Sequence, residues 1–516
     1  MSLPLLGAAS VREPGLCYAR RRTTERACPV KDAVAETAKP GLSTGLALLP
    51  IIFLTTLLAL SVYLFGADSS YGANQIALIL ASGVTALVGM RTGLSWAQCQ
   101  EGLVAGISLG LGPMLILLSV GMLIGTWILG GTVPAMIYYG VQILNPGIFY
   151  AASAVICAIV AVSIGSSWTV AGTLGIGLMG IAGSFDLSPA IAAGAIVSGA
   201  YFGDKLSPLS DTTNLAAAAT SVDLFDHIRH MLWTTVPGFA IALLLFLLMG
   251  GGEAATPEEI EALQASLARE FAIGPHLLLP LLVMLALVYK RVAAFPAIII
   301  SSLLGAGFAL VFQPEAVRQL AGEGGEPLVL LKGVWISLFD GYTADSGNTF
   351  LDALLSKGGM SSMLNTVWLI ICALGFGGVL ERTGILEHLL NLTLRGVHSL
   401  FGLVGTTVGT CIGTNILAAD QFISIALPGR MFSKAWQRQG LSRLNLSRTL
   451  EDSATLTSAL IPWNTCGAYM AGTLGVATLS YAPYAFFNLA CPLLALLYAA
   501  LNIAWKPLEP EHEVLV

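Results

Sequence analysis

The segment SGAYFGDKLSPLSDTTNLAAA, residues 198–218, places charged and polar side chains between apolar stretches of membrane-spanning length. A charged side chain at the centre of a bilayer costs at least about 2.5–3.5 kcal/mol, so such residues persist where they pair, face a cavity or bind an ion. The segment offers mainly carboxylate, hydroxyl and amide oxygens, which hard cations prefer. The sequence therefore predicts a cation site that consists of Asp204, Ser207, Asp211, Thr212 and Asn214.

Pro208 predicts a break in the helix that carries this site. Proline lacks an amide proton and disfavours helical geometry in the residue before it. Pro462 predicts a second break of the same kind. Lys205 is the one cation of the first segment, and two roles stay open: it neutralises a carboxylate when no cation is bound, or it extends to the cytoplasmic edge. Because Lys205 is the expected partner of Asp204, we favour Asp211 as the titrating group.

Two polar segments recur at a common separation, which predicts an internal repeat. SIGSSW resembles CIGTNI and pairs Gly165 with Gly413, a separation of 248 residues. GDKLSPLSD falls opposite EDSATLTSA and pairs Asp204 with Asp452 at the same separation. The second copy predicts a repeat-related ion site formed by Glu451, Asp452, Thr455 and Asn464.

Two further segments, SIGSSWTVAGTLGIGLMG and CIGTNILAADQF, are too rich in glycine and hydroxyl groups for plain spans. They predict discontinuous helices or re-entrant hairpins whose tips meet near the middle of the membrane. Helix N-termini at such tips attract anions, and helix C-termini with unwound carbonyls attract cations. The candidate tip residues, for an ion or a substrate, are Ser166, Ser167, Thr414, Asn415 and Asp420.

The composition predicts an all-α polytopic membrane protein with about 10–12 transmembrane helices. Of the 516 residues, 55% are hydrophobic and only 10% are charged, against roughly 25% charged residues in soluble domains. Several apolar runs reach the ~20 residues that a helix needs to cross a bilayer. The eight cysteines form no CxxC pair, which argues against a disulfide framework or a zinc site. No nucleotide loop or nucleophile elbow is present, so we expect no enzyme activity, no cofactor and no nucleic-acid partner.

The basic residues predict the orientation of the chain, because lysine and arginine near span ends prefer the cytoplasm. Arg91, Lys290, Arg291 and the basic loop 434–448 are then cytoplasmic, and the acidic central loop is outside. The two halves thus begin in opposite directions, as in transporters built from inverted-topology repeats. The predicted organisation is a basic cytoplasmic tail (1–44), a first repeat (45–250), an acidic linker (251–274), an inverted second repeat (275–505) and a cytoplasmic C-terminal tail (506–516).

The segment SGAYFGDKLSPLSDTTNLA resembles the NhaC family of sodium/proton antiporters, within the ion transporter superfamily. The resemblance extends through MLIGTWILGGTVPAMIYYG, GYTADSGN, GGMSSMLNTVWLIICALGFGGVLERTG and EDSATLTSALIPWNTCGAYM, and so covers nearly all of the chain after the tail. It implies exchange of Na+ for H+ across the bacterial inner membrane. Some members instead exchange small organic acids, coupling malate uptake to lactate export.

Competition for one buried carboxyl explains how such an exchange is coupled. Desolvation favours the protonated carboxyl, whereas a nearby cation favours the ionised form, so sodium and proton exclude each other. The alternative is an organic-acid exchanger whose hairpin tips hold the substrate carboxylate. For Asp340, Asp345 and Asn348 two interpretations stay open: they line the outer access path or contribute to a site, or, as we favour, they have no such role. For the histidines of DLFDHIRHM we favour a solvated patch at the membrane boundary over a pH-sensing role.

Overall fold

The structure is a computed structural model, and the residues that it describes are entirely helical apart from turns and two isolated backbone bridges. The described residues are 42–66, 69, 71–250, 257–290, 292–322, 325, 328–344, 352, 355–393 and 399–508. Most of the basic tail, Arg291, Asp345, Asn348 and the end of the C-terminal tail lie outside these ranges. The fold class is therefore the predicted one, an all-α polytopic membrane protein.

The first half of the chain forms eleven α-helices. They are α1 (Thr44–Phe65), α2 (Ala73–Arg91), α3 (Trp96–Leu109), α4 (Leu111–Leu129), α5 (Thr132–Ile143), α6 (Phe149–Ile164), α7 (Ser167–Val170), α8 (Ile176–Ser184), α9 (Pro189–Leu206), α10 (Asp211–Thr220) and α11 (Leu224–Met249). A π-helical turn, Ala171–Gly175, joins α7 to α8 without a break.

The described part of the second half forms fourteen more helices. They are α12 (Pro257–Glu270), α13 (Leu279–Tyr289), α14 (Ala294–Phe312), α15 (Pro314–Ala321), α16 (Leu328–Phe339), α17 (Leu364–Arg382), α18 (Ile385–Thr393), α19 (Leu400–Leu417), α20 (Gln421–Arg438), α21 (Arg443–Leu450), α22 (Leu456–Ser458), α23 (Thr465–Leu474), α24 (Thr478–Tyr481) and α25 (Phe486–Leu501). A π-helical turn, Glu451–Thr455, joins α21 to α22.

Within the described residues, eight helices are long and apolar enough to cross a membrane. The number rises to ten when each of two bent helix pairs is counted as one span. The expected 10–12 spans are met only at that upper value. The shortfall has a physical cause, because the helices that carry the polar groups are interrupted and lack a continuous apolar stretch of membrane-spanning length.

Four interruptions confirm the predicted discontinuous helices. They separate α6 from α7, α9 from α10, α19 from α20, and α22 from α23. After each one a polar side chain caps the next helix by accepting a hydrogen bond from a free backbone N–H, which satisfies an otherwise orphaned donor. The four capping residues are Ser166, Ser210, Asp420 and Asn464.

The helix boundaries reveal the repeat directly, in a register that differs from the predicted one. Helices α7, α9, α10 and α11 begin at residues 167, 189, 211 and 224, and α20, α21, α23 and α24 begin at 421, 443, 465 and 478. Each pair is 254 residues apart (421 − 167, for example), so the separation of 248 is wrong. Gly165 therefore corresponds to Ala419, and both have a left-handed φ, of 77° and 57°. Asp204 corresponds to Ser458 rather than to Asp452.

Packing between the remaining helices follows the same duplication. Helix α4 packs on α16 of the other half, and the counterpart of α4, α17, packs on α2 of the first half. The early helices of each half therefore pack on early helices of the other half in the same way. The opposite orientation of the two copies in the membrane remains a prediction.

Candidate ion site

Asp204 lies where two of the helix interruptions meet. It sits near the end of α9, and its side chain is buried, with 5% of the residue exposed. Ser167, the first residue of α7, donates a hydrogen bond from Oγ to Asp204 Oδ2 over 2.6 Å. Thr213 Oγ1 donates to the carbonyl oxygens of Asp204 and Lys205, at 3.3 and 3.1 Å. A buried carboxylate is thus held between α9, α7 and α10.

The second half repeats this contact with neutral groups. Ser458 Oγ donates to Gln421 Oε1 over 3.3 Å, and these residues correspond to Asp204 and Ser167 in the 254-residue register. The geometry is kept but the carboxylate is replaced by a hydroxyl. Of these two repeat-related contacts, only the first carries an acidic group.

Lys205 pairs with Asp452 and not with its neighbour Asp204. The side chains of both residues are fully buried, and Lys205 Nζ forms an ion pair with Asp452 Oδ1. Thr234 Oγ1 donates to the same carboxylate oxygen over 2.8 Å. The alternative in which Lys205 extends to the cytoplasmic edge is therefore wrong, as is the expected pairing with Asp204. Sequence reasoning missed Thr234, which lies on α11.

Glu451 and Thr455 lie on the π-helical turn that follows α21, and both residues are fully buried. Among the described residues, neither carboxylate oxygen of Glu451 has a hydrogen-bond partner, nor do Asp452 Oδ2, Thr455 Oγ1 and Asn488 Oδ1. Buried polar atoms are satisfied in the great majority of cases, so such a group calls for an explanation. A set of buried oxygens without internal donors suits a bound cation or a proton. Sequence reasoning missed Asn488, the one amide side chain in the otherwise largely apolar helix α25.

Most of the other predicted residues of the first segment build the turn between α9 and α10. Ser207 Oγ accepts from the amide of Leu209 at 3.3 Å, and Thr212 Oγ1 bonds to Ser210 Oγ at 3.0 Å. Asn214 Nδ2 donates to the carbonyl oxygens of residues 208 and 210, at 2.9 and 2.7 Å. Asp211, in the first turn of α10, is exposed, where a carboxylate is favourable because of the helix dipole.

The predicted tip residues of the second half close the break between α22 and α23. Asn415 Nδ2 donates to the carbonyl of Ala454 at 2.6 Å and to Thr457 Oγ1 at 3.0 Å. Asn464 Nδ2 donates in turn to Asn415 Oδ1 at 3.2 Å. Thr414 Oγ1 donates to the carbonyl of Thr410 within its own helix. These amides are occupied by structural hydrogen bonds.

Two cavities open near the interruptions. Cavity A, of about 380 Å³, is lined by residues that include Asp340, Lys357, Met363, Ile176, Gly472 and Thr473. Cavity B, of about 350 Å³, is lined by residues that include Leu109, Leu215, Asp420, Phe422 and Arg430. Asp340 lines cavity A, its role in an access path stays a prediction, and Asp345 and Asn348 fall outside the described residues.

The histidines near the start of α11 differ from the predicted solvated patch. His227 is fully buried, and neither of its ring nitrogens has a partner among the described residues. His230 Nε2 is 3.0 Å from Asn445 Oδ1. Arg229 is exposed and forms a surface pair with Asp226, which is exposed as well. The helix turns His227 inward because it shares the buried face with Met231 and Thr234, three or four residues apart.

Comparison with known proteins supports a transporter. The family model described as "Na+/H+ antiporter family" matches residues 199–503, more than half of the chain. The Na(+)/H(+) antiporter NhaC of Alkalihalophilus pseudofirmus is 38% identical over 431 residues, covering 83% of this chain and 90% of that protein. The malate-2H(+)/Na(+)-lactate antiporter of Bacillus subtilis is 37% identical, covering 82% and 88%. The arginine/ornithine antiporter ArcD of Halobacterium salinarum is 36% identical, covering 91% and 94%.

The family match includes α10, α11 and the helices of the second repeat, together with Asp204, Lys205, Glu451 and Asp452. The relatives extend the similarity over most of the first repeat as well. This agrees with the resemblance found in the sequence. The chain belongs to the Na+/H+ antiporter family.

Proposed function

We propose that the protein exchanges Na+ for H+ and that Asp204 is the group for which the two ions compete. The observation that carries this proposal is the position of Asp204, a buried carboxylate at the junction of two interrupted helices, bonded to the Ser167 hydroxyl at 2.6 Å. An interrupted helix frees carbonyl oxygens, which a membrane interior tolerates only against protein, water or an ion. Sodium prefers such oxygen ligands.

Competition at Asp204 makes the exchange obligatory. Removing water favours the protonated carboxyl, and a bound Na+ favours the ionised one, so the site holds one ion or the other. Ser167 accepts or donates as required, because a hydroxyl has a rotatable proton and two lone pairs. The burial of Asp204 and the exposure of Asp211 lead us to assign the competition to Asp204, in place of Asp211.

Glu451 is the proposed second acidic group of the site. Its buried carboxylate lacks a donor in the described structure, and the adjacent Asp452 is already neutralised by Lys205. Thr455 Oγ1, four residues along the same turn, and Asn488 Oδ1, whose amide nitrogen donates to the carbonyl of Leu456, are the unpartnered oxygens that would accompany it. In this assignment Lys205 and Asp452 keep a fixed charge pair, and Asp204 and Glu451 exchange their ions.

The test is dissipation of a pH gradient in everted vesicles on addition of NaCl. The Asp204→Asn protein keeps the size and hydrogen bonding of the side chain but loses its charge, and we expect Na+-dependent exchange to fall at least 100-fold. Asp211→Asn is the matched control, since it makes the same change at an exposed carboxylate seven residues later, at the start of α10, and we expect it to retain exchange. Wild-type activity in Asp204→Asn would exclude the assignment.

A second candidate function is exchange of small organic acids coupled to Na+ and H+. The names of two relatives favour it, since a malate/lactate antiporter and an arginine/ornithine antiporter are about as similar to this chain as the first-named sodium/proton antiporter. Counterflow of labelled malate, lactate, arginine and ornithine into proteoliposomes separates the functions. A cation antiporter shows no counterflow of any of these compounds.

The proposed location is the bacterial inner membrane, with both termini in the cytoplasm. The support for this orientation is the basic character of the turn regions after α2 and between α20 and α21, because basic residues favour the cytoplasmic side.

A further inference from the structure

Cavities A and B are related by the repeat. Ile176 lines cavity A, and the residue 254 positions later, Arg430, lines cavity B. Leu109 lines cavity B, and its counterpart Met363 lines cavity A. Equivalent positions of the two repeats therefore line the two cavities. A difference between the cavities must then come from side chains that differ between the repeats.

The cavities differ in how far they reach toward the helix interruptions. Cavity B extends to Leu215, to Phe422 and to Asp420, the capping residue of the interruption. The counterparts of Leu215 and Phe422 are Tyr469 and Trp168, and neither is among the residues that line cavity A. Cavity A instead ends at Gly472 and Thr473, about one turn along α23 from Tyr469.

An aromatic stack occupies the place where cavity A stops. The rings of Trp168 and Tyr469 are stacked, with centroids 4.1 Å apart and planes inclined by 15°. Tyr469 Oη also donates a hydrogen bond to the carbonyl of Trp168 over 2.9 Å, and Tyr469 is fully buried. Gly172 leaves the space for the phenol, because a Cβ at that residue would lie 2.8 Å from Tyr469 Oη.

The stack adjoins the candidate ion site on its other side. Trp168 follows Ser167, which holds Asp204. The order along α7 and α8 is therefore Ser167, Trp168 and then, two turns later, Ile176 at cavity A. In the second half, Phe422 is 38% exposed and faces an open cavity.

We propose that Trp168 and Tyr469 form the closed gate between cavity A and Asp204, and that Phe422 and Leu215 occupy the equivalent gate in its open state. The ion site is then closed toward cavity A. Exchange of access requires the stack to separate and the side chains of Phe422 and Leu215 to come together. The role of the gate rests on the proposed exchange function, but the arrangement of its side chains does not depend on which ion binds.

Cys466 provides a reporter behind the gate. It is fully buried near the start of α23, whereas the cavity-lining residues Gly472 and Thr473 lie near the end of that helix. The experiment uses the full chain with Cys466 as its only cysteine. The protein is studied in two vesicle preparations that expose opposite faces of it to the outside. The probe is a membrane-impermeant methanethiosulfonate, applied to one face at a time. A separate variant with Lys357→Cys as its only cysteine identifies the face that opens into cavity A.

We expect Trp168→Ala to raise the rate of Cys466 modification at least tenfold from the cavity A face alone. Trp168→Phe, which retains a ring, should keep the low rate of the parent protein. Phe422→Ala is the matched control at the repeat-related position, and it should leave the rate from the cavity A face unchanged. Monodisperse elution in detergent establishes that each variant is folded.

An unchanged rate in Trp168→Ala, or an equal rise from both faces, would overturn the gate. The proposed function is tested separately, because thiol access does not depend on the transported ion. If Asp204→Asn exchanges Na+ normally while Trp168→Ala exposes Cys466 from one face, the gate stands and the ion assignment fails. If Asp204→Asn is inactive and access is unchanged, the ion assignment stands and the gate fails.

Discussion

Gly165 forms the sharp turn between α6 and α7, and the structure leaves it no room for a side chain. Its φ is 77°, and an added Cβ would lie 2.7 Å from the backbone carbon of Leu209 and 2.8 Å from the amide nitrogen of Ser210. The turn thus touches the other interruption of the first repeat. It sets the position of Ser167 relative to Asp204.

We expect Gly165→Ala to lower both stability and exchange activity. The left-handed backbone alone costs roughly 1–2 kcal/mol for a residue with a Cβ, and the contact with residues 209 and 210 adds to this. Gly413→Ala is the matched control, since nothing lies within 4 Å of a Cβ added there and alanine favours the interior of a helix by about 0.8–1.0 kcal/mol. Thermal unfolding in detergent measures both. Equal destabilisation by the two substitutions would contradict the prediction.

The Lys205–Asp452 pair predicts strong coupling between two distant positions. Removing one member of a buried ion pair leaves an uncompensated charge and costs about 3–5 kcal/mol, whereas replacing both with apolar residues is often neutral. We expect Lys205→Met and Asp452→Leu each to lower the unfolding temperature and the yield, and the double substitution to restore most of both. The measurement is a double-mutant cycle on detergent-solubilised protein. Additive losses would show that the side chains act independently.

Sequence reasoning at the residue scale included Asp204 among the candidate ligands but gave it the wrong partner. Lys205 is adjacent to Asp204 in the chain, yet side chains one residue apart on a helix point in different directions. The true partner, Asp452, is 247 residues away, and only the packed fold brings it near. The position of Asp211 at the start of a helix could have been predicted from the sequence, because Ser210 followed by Asp211 is a typical helix start.

At the scale of elements, the residues after α25 bind the turn between α20 and α21. The amide of Ser442 donates to the carbonyl of Lys506 over 3.0 Å, and the amide of Leu508 donates to Gly440 at 2.8 Å. Arg448 Nη1 donates to the carbonyl of Ala504 at 2.9 Å and stacks 4.6 Å from the centre of the Trp505 ring. Residues 502–508 thereby fix the start of α21, the helix that leads to Glu451.

We expect a chain that ends after Leu501 to be less stable than one that ends after Leu508. The shorter chain loses three of the hydrogen bonds described above, at about 1 kcal/mol each, and a cation–π contact of about 0.5–2 kcal/mol. The longer chain keeps every one of these contacts. Thermal unfolding in detergent and exchange in vesicles compare the two chains. Identical unfolding temperatures would mean that the C-terminal segment does not support α21.

The element boundaries also explain what the sequence predicted about the repeat and what it missed. Pro208, Pro462 and the clustered glycines located the interruptions, because these residues act on the local backbone. The register was missed because glycine and aspartate are too frequent in such segments to align them uniquely. The helix caps define the register, because Ser210 and Asn464 are 254 residues apart and each caps the helix that follows it, although their side chains differ.

At the scale of the whole molecule, the duplication predicts opposite membrane faces for equivalent turns. Asp186 lies in the turn between α8 and α9, and Gln439 lies in the equivalent turn between α20 and α21; both are exposed. We expect single cysteines at these two positions to react with an impermeant thiol reagent from opposite faces. The Gln439 position should be cytoplasmic because its flanks are basic. Labelling of both positions from one face would exclude the inverted arrangement.

The ion pair between Lys205 and Asp452 joins a helix of one repeat to a helix of the other, and this bears on the speed of turnover. A change of access either moves α9 and the Glu451–Thr455 turn together or pulls the two charges apart. At about 3–5 kcal/mol for an unpaired buried charge, separation would slow each cycle by roughly 10²- to 10⁴-fold. Rapid cycling therefore requires these two segments to travel as a single rigid body, and the activation barrier then resides in the helices that surround them.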